Sequence, residues 1–452
     1  MKNLQGVYTL LFGVAVFLFF GLAYPHHLHY QEQYQLFLFD STYVWEIVKL
    51  PGGEADLLGR FCTQFFLFAW VGSLMIAILL SLVQLLMLRL VKWGWLYGLS
   101  FVPSFLLWLF LLDENALLGG VWAVLLTLLA ICGFMLVPKG WGRRIAILII
   151  IPILYWMVGP AWSGSHYHRY PTVTPYLLYV AWLSAVILPL MVHFIKVQDL
   201  KFKVQGLTFL LVAVVMGTIV WKNANFKAEK IMQYDFMACH QQWNRILETV
   251  NAEKPNNQIG VTVQNLALAM HGMLADHLFE YNQNGILGLL PDVERDATSP
   301  MPTAEVFYQL GMIYVAQRTV FEAQEAILDF QKSGRCYKRL AQTNLIIGSY
   351  EVARKYLAAL QKTLFYRDWA NETLQLLGDE KAIANHPEYG RLRQMAYDDN
   401  FYFSDHVTPE MLESLYFSNT DNRLALEYLR AYYMLTNDRE RYTRLLLHLQ
   451  NK

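Results

Sequence analysis

Along the first half of the chain, apolar residues come in long blocks with polar residues gathered between them. A helical crossing of a bilayer's hydrocarbon core needs roughly 20 such residues. The blocks predict seven spans, at 7–24, 65–88, 96–112, 121–137, 145–161, 176–195 and 206–221. From Asn223 onward the pattern changes to charged amphipathic stretches at helical spacing with short breaks, and β signals are nearly absent. The expectation is an all-α protein with two parts. Residues 1–221 form a transmembrane helix bundle with a long first external loop at 25–61, and residues 222–452 form a soluble helical domain.

Charge sharpens that division. Residues 1–221 carry 20 charged side chains and residues 222–452 carry 52. Orientation follows from the basic residues, which favour cytoplasmic loops. With the N-terminus inside, nine of them (Lys2, Arg89, Lys92, Lys139, Arg143, Arg144, Lys196, Lys201 and Lys203) face the cytoplasm. Only Lys49, Arg60 and Arg169 then lie outside. Seven crossings put everything after Trp221 outside the cytoplasm, in the periplasm if the membrane is a bacterial inner membrane. A formal net charge of zero removes the electrostatic case for nucleic acid. The four cysteines form no CxxC pair and no zinc spacing. Cys62 and Cys132 read as small hydrophobes in or beside spans, while Cys239 and Cys336 are able to pair in an oxidising compartment.

The first external loop is too long for a simple turn and too apolar for a solvated one. Its Tyr34, Phe37, Phe39, Tyr43 and Trp45 predict helices lying along the membrane surface, broken by Pro51-Gly52-Gly53. Seven of the eight acidic residues of the membrane half fall on the outer side, with His26, His27, His29, His166 and His168. One reading is a divalent-metal site near His26, His29, His166 and His168, since histidines with carboxylates supply the ligands zinc prefers. A second is acid–base chemistry at the membrane surface on a lipid-linked substrate, with Glu32, Asp40 or Glu46 as base. The plainer account is that loops excluding Lys and Arg leave their polar work to His, Asp and Glu. No cofactor is required by any of these residues.

Seven spans entered from the cytoplasm, with acidic residues and surface helices in a long first outside loop, resemble the core of the GT-C membrane glycosyltransferases. That resemblance implies transfer of sugar from a polyprenyl-phosphate donor, with a carboxylate of the first loop as catalytic base. The matching positions are Glu32 and Asp40, with Arg60 and Arg169 available to hold a phosphate. The adjacent acidic pair often found in that loop is missing here.

In the soluble half, residues 304–330 contain Leu310-Gly311, Tyr314, Ala323, Ile327 and Phe330. The next stretch contains Leu340-Ala341, Asn344, Gly348, Tyr350, Ala353, Leu357 and Leu360. These offsets resemble the tetratricopeptide repeat, in which small residues let paired helices pack closely. That resemblance implies a curved surface for a protein partner, with Gln317, Gln342 and Asn344 placed to line its groove. Two breaks interrupt the array: 284–302 is rich in Gly, Pro and Asp, and 386–409 mixes aromatics with Asp and Asn and reads as a partly irregular insertion. The full arrangement resembles bacterial multi-pass membrane proteins that share a Pro-Gly-Gly…Gly-Arg-Phe…Gln-Phe-Phe stretch, here Pro51-Gly52-Gly53, Gly59-Arg60-Phe61 and Gln64-Phe65-Phe66. It implies architecture and no activity. No Ser-His-Asp set, Walker loop, dinucleotide fingerprint or zincin motif is present in the soluble half. The first expectation is therefore a membrane scaffold presenting helices to protein partners in the cell envelope, and the second is a GT-C-like transferase.

Overall fold

The computed structural model describes residues 2–138, 140–162, 174–195, 202–292, 299–327, 331–397 and 408–450. No strand occurs among them. The chain divides into two compact units, Met1–Glu229 and Lys230–Lys452.

The first unit opens with α1 (Lys2–Leu18), which runs on through a π-turn at Phe19–Ala23. Three short helices follow, α2 (Pro25–Glu32), α3 (Ser41–Val48) and α4 (Gly53–Thr63). Then come α5 (Ala69–Leu90), α6 (Val102–Phe110), α7 (Leu118–Leu136), α8 (Trp141–Trp162), α9 (Thr174–Ile195) and α10 (Phe202–Asn223). Among the described residues six helical stretches are long and apolar enough to cross a membrane: Gln5–Ala23, Ala69–Leu90, Leu118–Leu136, Trp141–Val158, Tyr176–Phe194 and Val204–Asn223. Their outward faces are bare hydrocarbon, with Leu148 74% and Leu207 66% exposed. A soluble protein rarely leaves so large an apolar surface uncovered. This unit is built for a membrane.

The expected span at 96–112 takes a different form. Gly94–Phe101 is a 3-10 helix, and α6 continues from it with Pro103 in its first turn. Proline lacks an N–H and fits the start of a helix, so the chain changes helix type there. A 3-10 helix rises about 2.0 Å per residue and an α-helix about 1.5 Å, so Gly94–Phe110 extends about 30 Å, the thickness of a hydrocarbon core. It also runs the full depth of α1. Tyr97 donates to the Gln5 carbonyl (3.1 Å), Phe12 packs on Phe101 and Phe105, and Phe19 meets Trp108.

Direction alternates through the bundle. α5 is antiparallel to α1, because Thr9 meets Gln84 near one end and Gly21 meets Trp70 near the other. α10 is parallel to α1: Tyr8 stacks on Phe209 (4.7 Å), and the Asn225 N–H donates to the Tyr24 hydroxyl (2.9 Å). Gly94–Phe110 runs parallel to α1 as well, with Tyr97 at Gln5 and Trp108 at Phe19.

Polar side chains between these helices satisfy one another. Thr9 donates to Gln84 (2.8 Å), and Gln84 donates to Ser100 (3.3 Å). Buried amides of this kind tie membrane helices together by roughly 0.6–1.7 kcal/mol. Gln84→Leu is expected to lower the melting temperature in detergent by about 2–4 °C. The effect is held down because Thr9 keeps the Gln5 carbonyl as acceptor. An unchanged melting curve would show that the network adds nothing.

In the second unit, α11 (Phe226–Cys239), whose first turn belongs to the first unit, leads into α12 (Trp243–Glu253), α13 (Gln258–Met270) and the short α14 (Gly285–Leu289). Two helix pairs follow, α15 (Pro300–Leu310) with α16 (Ile313–Ala326), and α17 (Gly334–Ile346) with α18 (Tyr350–Leu360). Buried Ala316, Ala323, Ala341 and Ala353 lie between them. The remaining helices are α19 (Arg367–Leu376), α20 (Glu380–Asn385), α21 (Tyr389–Met395), α22 (Pro409–Ser418), α23 (Arg423–Thr436) and α24 (Arg439–Gln450). The break read at 284–302 therefore holds a helix, α14, and the one read at 386–409 opens with another, α21. Cys336 is buried with its sulfur 3.6 Å from that of Met301, and no disulfide joins the cysteines among the described residues.

Candidate functional site

Polar groups concentrate at one end of the first unit, where α1 and α10 both finish. Pro25 starts α2, and no side chain of its own caps that helix. Glu229 does so from more than 200 residues away. Its Oε1 accepts from the His26 N–H (2.8 Å) and its Oε2 from the His27 N–H (2.9 Å). A helix N-terminus favours such an anion, since its first N–H groups have no intrahelical acceptor. The carboxylate is nonetheless 7% exposed. Burial pushes it up to about 7, against the pull of the two N–H groups. Beside it His27 is fully buried and donates from Nε2 to the Leu111 carbonyl (2.9 Å). Burial pushes this imidazole down to about 3, so it is neutral at every physiological pH. Burial also raises the Tyr24 hydroxyl above its ordinary value. The cluster is a clasp of backbone, carboxylate and ring.

The first loop folds as surface helices broken at Pro51-Gly52-Gly53. Gly52 has φ +83°, where a side chain would be strained, and its N–H donates to the Trp156 carbonyl of α8 (2.6 Å). The stretch is a turn held by a backbone bond. Of the residues assigned chemistry from sequence, Asp40 is the N-cap of α3 and accepts from the Thr42 and Tyr43 N–H groups. Arg60 forms an ion pair with Asp56 (2.7 Å) and also bonds Tyr43. Burial alone would lower its pKa, but Asp56 and Tyr43 keep it raised. Gln35 and Thr63 complete this network. Glu32 is buried at the end of α2, and Glu46 lies on α3. The structure thus brings Arg60 to Asp56. His26 and His29 lie side by side with ring centroids 6.0 Å apart. Among the described residues no group of three or more metal-ligating side chains comes together. Arg169, His166 and His168 lie outside the described residues.

In the second unit the residues expected to line a groove are mostly committed inward. Asn344 is buried and donates to the Leu340 carbonyl (2.7 Å), and Gln342 donates to the Tyr389 hydroxyl (3.5 Å). Gln317 is half-buried on α16. The face shared by α15 and α17 is occupied by α21: Arg391 donates to Gln309 (2.8 Å), and Tyr308 donates to Glu388 (3.0 Å). Beneath them Glu305 pairs with Arg339, whose guanidinium sits 3.7 Å from the Tyr308 ring centroid. Breaking a buried pair of this kind is strongly destabilising, so these charges hold the array together.

A family model described as a family of unknown function (DUF6057) matches residues 1–163 and 160–452. The chain belongs to DUF6057. No curated protein matches it, and no solved structure does. The two matched segments take in both units of this chain. Sequence reasoning missed Glu229, Glu305 and Arg339. The proline that opens α2 signalled an uncapped helix start, but nothing local named its partner.

Proposed function

We propose that this DUF6057 protein is a seven-crossing membrane anchor that displays a helical domain on the face opposite its N-terminus, for protein–protein interaction in the envelope. The observation that carries the reading is the parallel course of α1 and α10, whose C-terminal ends meet through Tyr24 and Asn225. With the basic residues setting the N-terminus inside, the helical domain follows on the extracytoplasmic side, which in a bacterium is the periplasm. Exposed aromatic residues on the first loop, such as Trp45 (67%) and Phe39 (46%), suit the headgroup level of that side. The α15/α17 face is filled by α21, so the surface left to a partner is that of α16 and α18, where Phe321 and Val352 are exposed. The transferase reading draws less support, because Asp40 serves as a helix cap and Arg60 is paired with Asp56.

A single cysteine placed near Lys452, in a chain whose four native cysteines are replaced by serine or alanine, tests the orientation. A membrane-impermeant maleimide is expected to label it from outside intact spheroplasts. Labelling only after the membrane is opened would overturn the proposal. Partner binding is then read by site-specific crosslinking from the outer face of α16, around Gln317. Crosslinks to one defined envelope protein support an interaction role, and a ladder no different from an unfolded control removes it.

A further inference from the structure

The second unit contains a cavity of about 200 Å³ between α13, α15 and the segment after α14. Its walls are carbon-rich at Ile231, Ile259, Pro291 and Pro302, and polar at Asn257, Gln258, Thr262, Ser299 and Thr303. Two helices begin at it. Asn257 caps α13, its side chain accepting from the Gly260 N–H, which leaves the Gln258 and Ile259 N–H groups without an intrahelical acceptor. Ser299 stands at the start of α15, whose Pro300 and Pro302 carry no N–H at all.

Thr262 supplies an independent sign that the cavity is a site. It is 2% exposed, lines the cavity, and its hydroxyl has no protein partner. Other helical threonines of this unit hand theirs to the carbonyl three or four residues back, as Thr249, Thr303, Thr319 and Thr343 do. A buried hydroxyl left unpaired is costly, because its lost hydration is not replaced. That cost is removed when a ligand oxygen meets it.

The lining also restricts the ligand. Among the described residues no Lys or Arg contributes to it and Asp292 does, which disfavours an anion despite the two helix starts. The cavity is smaller than those that take drug-sized molecules, usually about 300 Å³ or more. We propose that it binds a small neutral polyhydroxylated molecule, a monosaccharide or cyclic polyol. Its oxygens would meet the N–H groups of Gln258 and Ile259 and the Thr262 hydroxyl, with its C–H face on Ile231, Ile259 and Pro302.

The test uses the full chain in lipid nanodiscs free of sugar-headed detergent. The probes are D-glucose, D-mannose, D-galactose, N-acetyl-D-glucosamine and myo-inositol, with sodium acetate and sodium sulfate as anionic comparators. Binding is followed by saturation-transfer NMR and by thermal shift. At least one neutral probe is expected to bind saturably in the millimolar range, and the anions are not. Thr262→Val is expected to weaken that probe about tenfold, while leaving the unliganded protein at least as stable, because it replaces an unpaired hydroxyl with a methyl. The proposal is overturned if no neutral probe saturates, if acetate or sulfate binds in their place, or if the valine variant binds equally well. If Thr262→Val fails to fold, Thr262→Ser restores the hydroxyl and is expected to keep wild-type affinity, and Gln258→Trp, filling the cavity, is expected to abolish binding. Binding unaffected by Gln258→Trp would also overturn it.

Discussion

Replacing Gly98 by alanine is expected to lower the melting temperature by about 5–10 °C, and replacing it by leucine to leave no folded protein. Gly98 lies in the 3-10 part of the third crossing, against the backbone of α10. A Cβ built there would sit 2.3 Å from the Thr208 carbonyl oxygen and 2.5 Å from its carbon. These are main-chain atoms, with no flexible side chain to swing aside. The close approach also lets the Gly98 N–H reach the Thr208 hydroxyl (3.4 Å). Small residues serve this purpose in membrane bundles, where helices gain little from hydrophobic burial and much from tight contact. Gly217 on α10 provides the control, since a Cβ there meets nothing within 4 Å. Gly217→Ala should be neutral or slightly stabilising, by up to about 1 kcal/mol for alanine in a helix interior. The measurement is a thermal melt of each purified variant in one detergent. If Gly98→Ala melts with the wild type, the third crossing does not pack on α10 as described.

That crossing also shows where sequence reading stops. Its apolar length was legible, because hydrophobic runs report transfer into lipid directly. Its 3-10 geometry was not, because Gly94 and Pro103 mark a helix boundary without saying which helix type lies between them. The helical character of the first loop was legible from its aromatic spacing, and its break from Pro51-Gly52-Gly53. Arg60 was legible as a charge in the first loop, yet its partner Asp56 stands four residues away on the same helix, where an ion pair is the local default. In the second unit the small residues at Ala323 and Ala353 marked the helix pairs correctly. The burial of Gln342 and Asn344 depends on α21, in a stretch that reads as an irregular insertion. Thr262 carries no signal at all in sequence. A threonine in a helix normally bonds backward along its own turn, and only the coordinates show that this one does not.

The clasp at Glu229 makes the α2 end of the first unit sensitive to pH, in a direction opposite to that of an ordinary ion-paired carboxylate. In the folded chain the group sits at about 7, raised above the 4.5 of an exposed glutamate by burial. A raised folded value means that the clasp's contribution is fully present below about 4.5 and is lost as pH rises through about 7. The difference across that window is about 3 kcal/mol. It appears as local opening rather than as global unfolding, since the chain has two units and no single transition. Hydrogen exchange at the His26 and His27 amides, corrected for the intrinsic pH dependence, should therefore show protection falling between pH 5 and pH 8. His27 contributes nothing in this window, being neutral down to about 3. Glu114 is also raised by burial and changes in the same direction, so wild type alone does not isolate the effect. Glu229→Gln does. Its amide oxygen can accept from one of the two N–H groups, but its NH2 group opposes the other. The variant should show weaker protection than wild type at pH 5 and a flatter profile up to pH 8. A variant that keeps the full wild-type slope would place the titration elsewhere and remove Glu229 as the pH-dependent tie between α2 and the end of the last crossing.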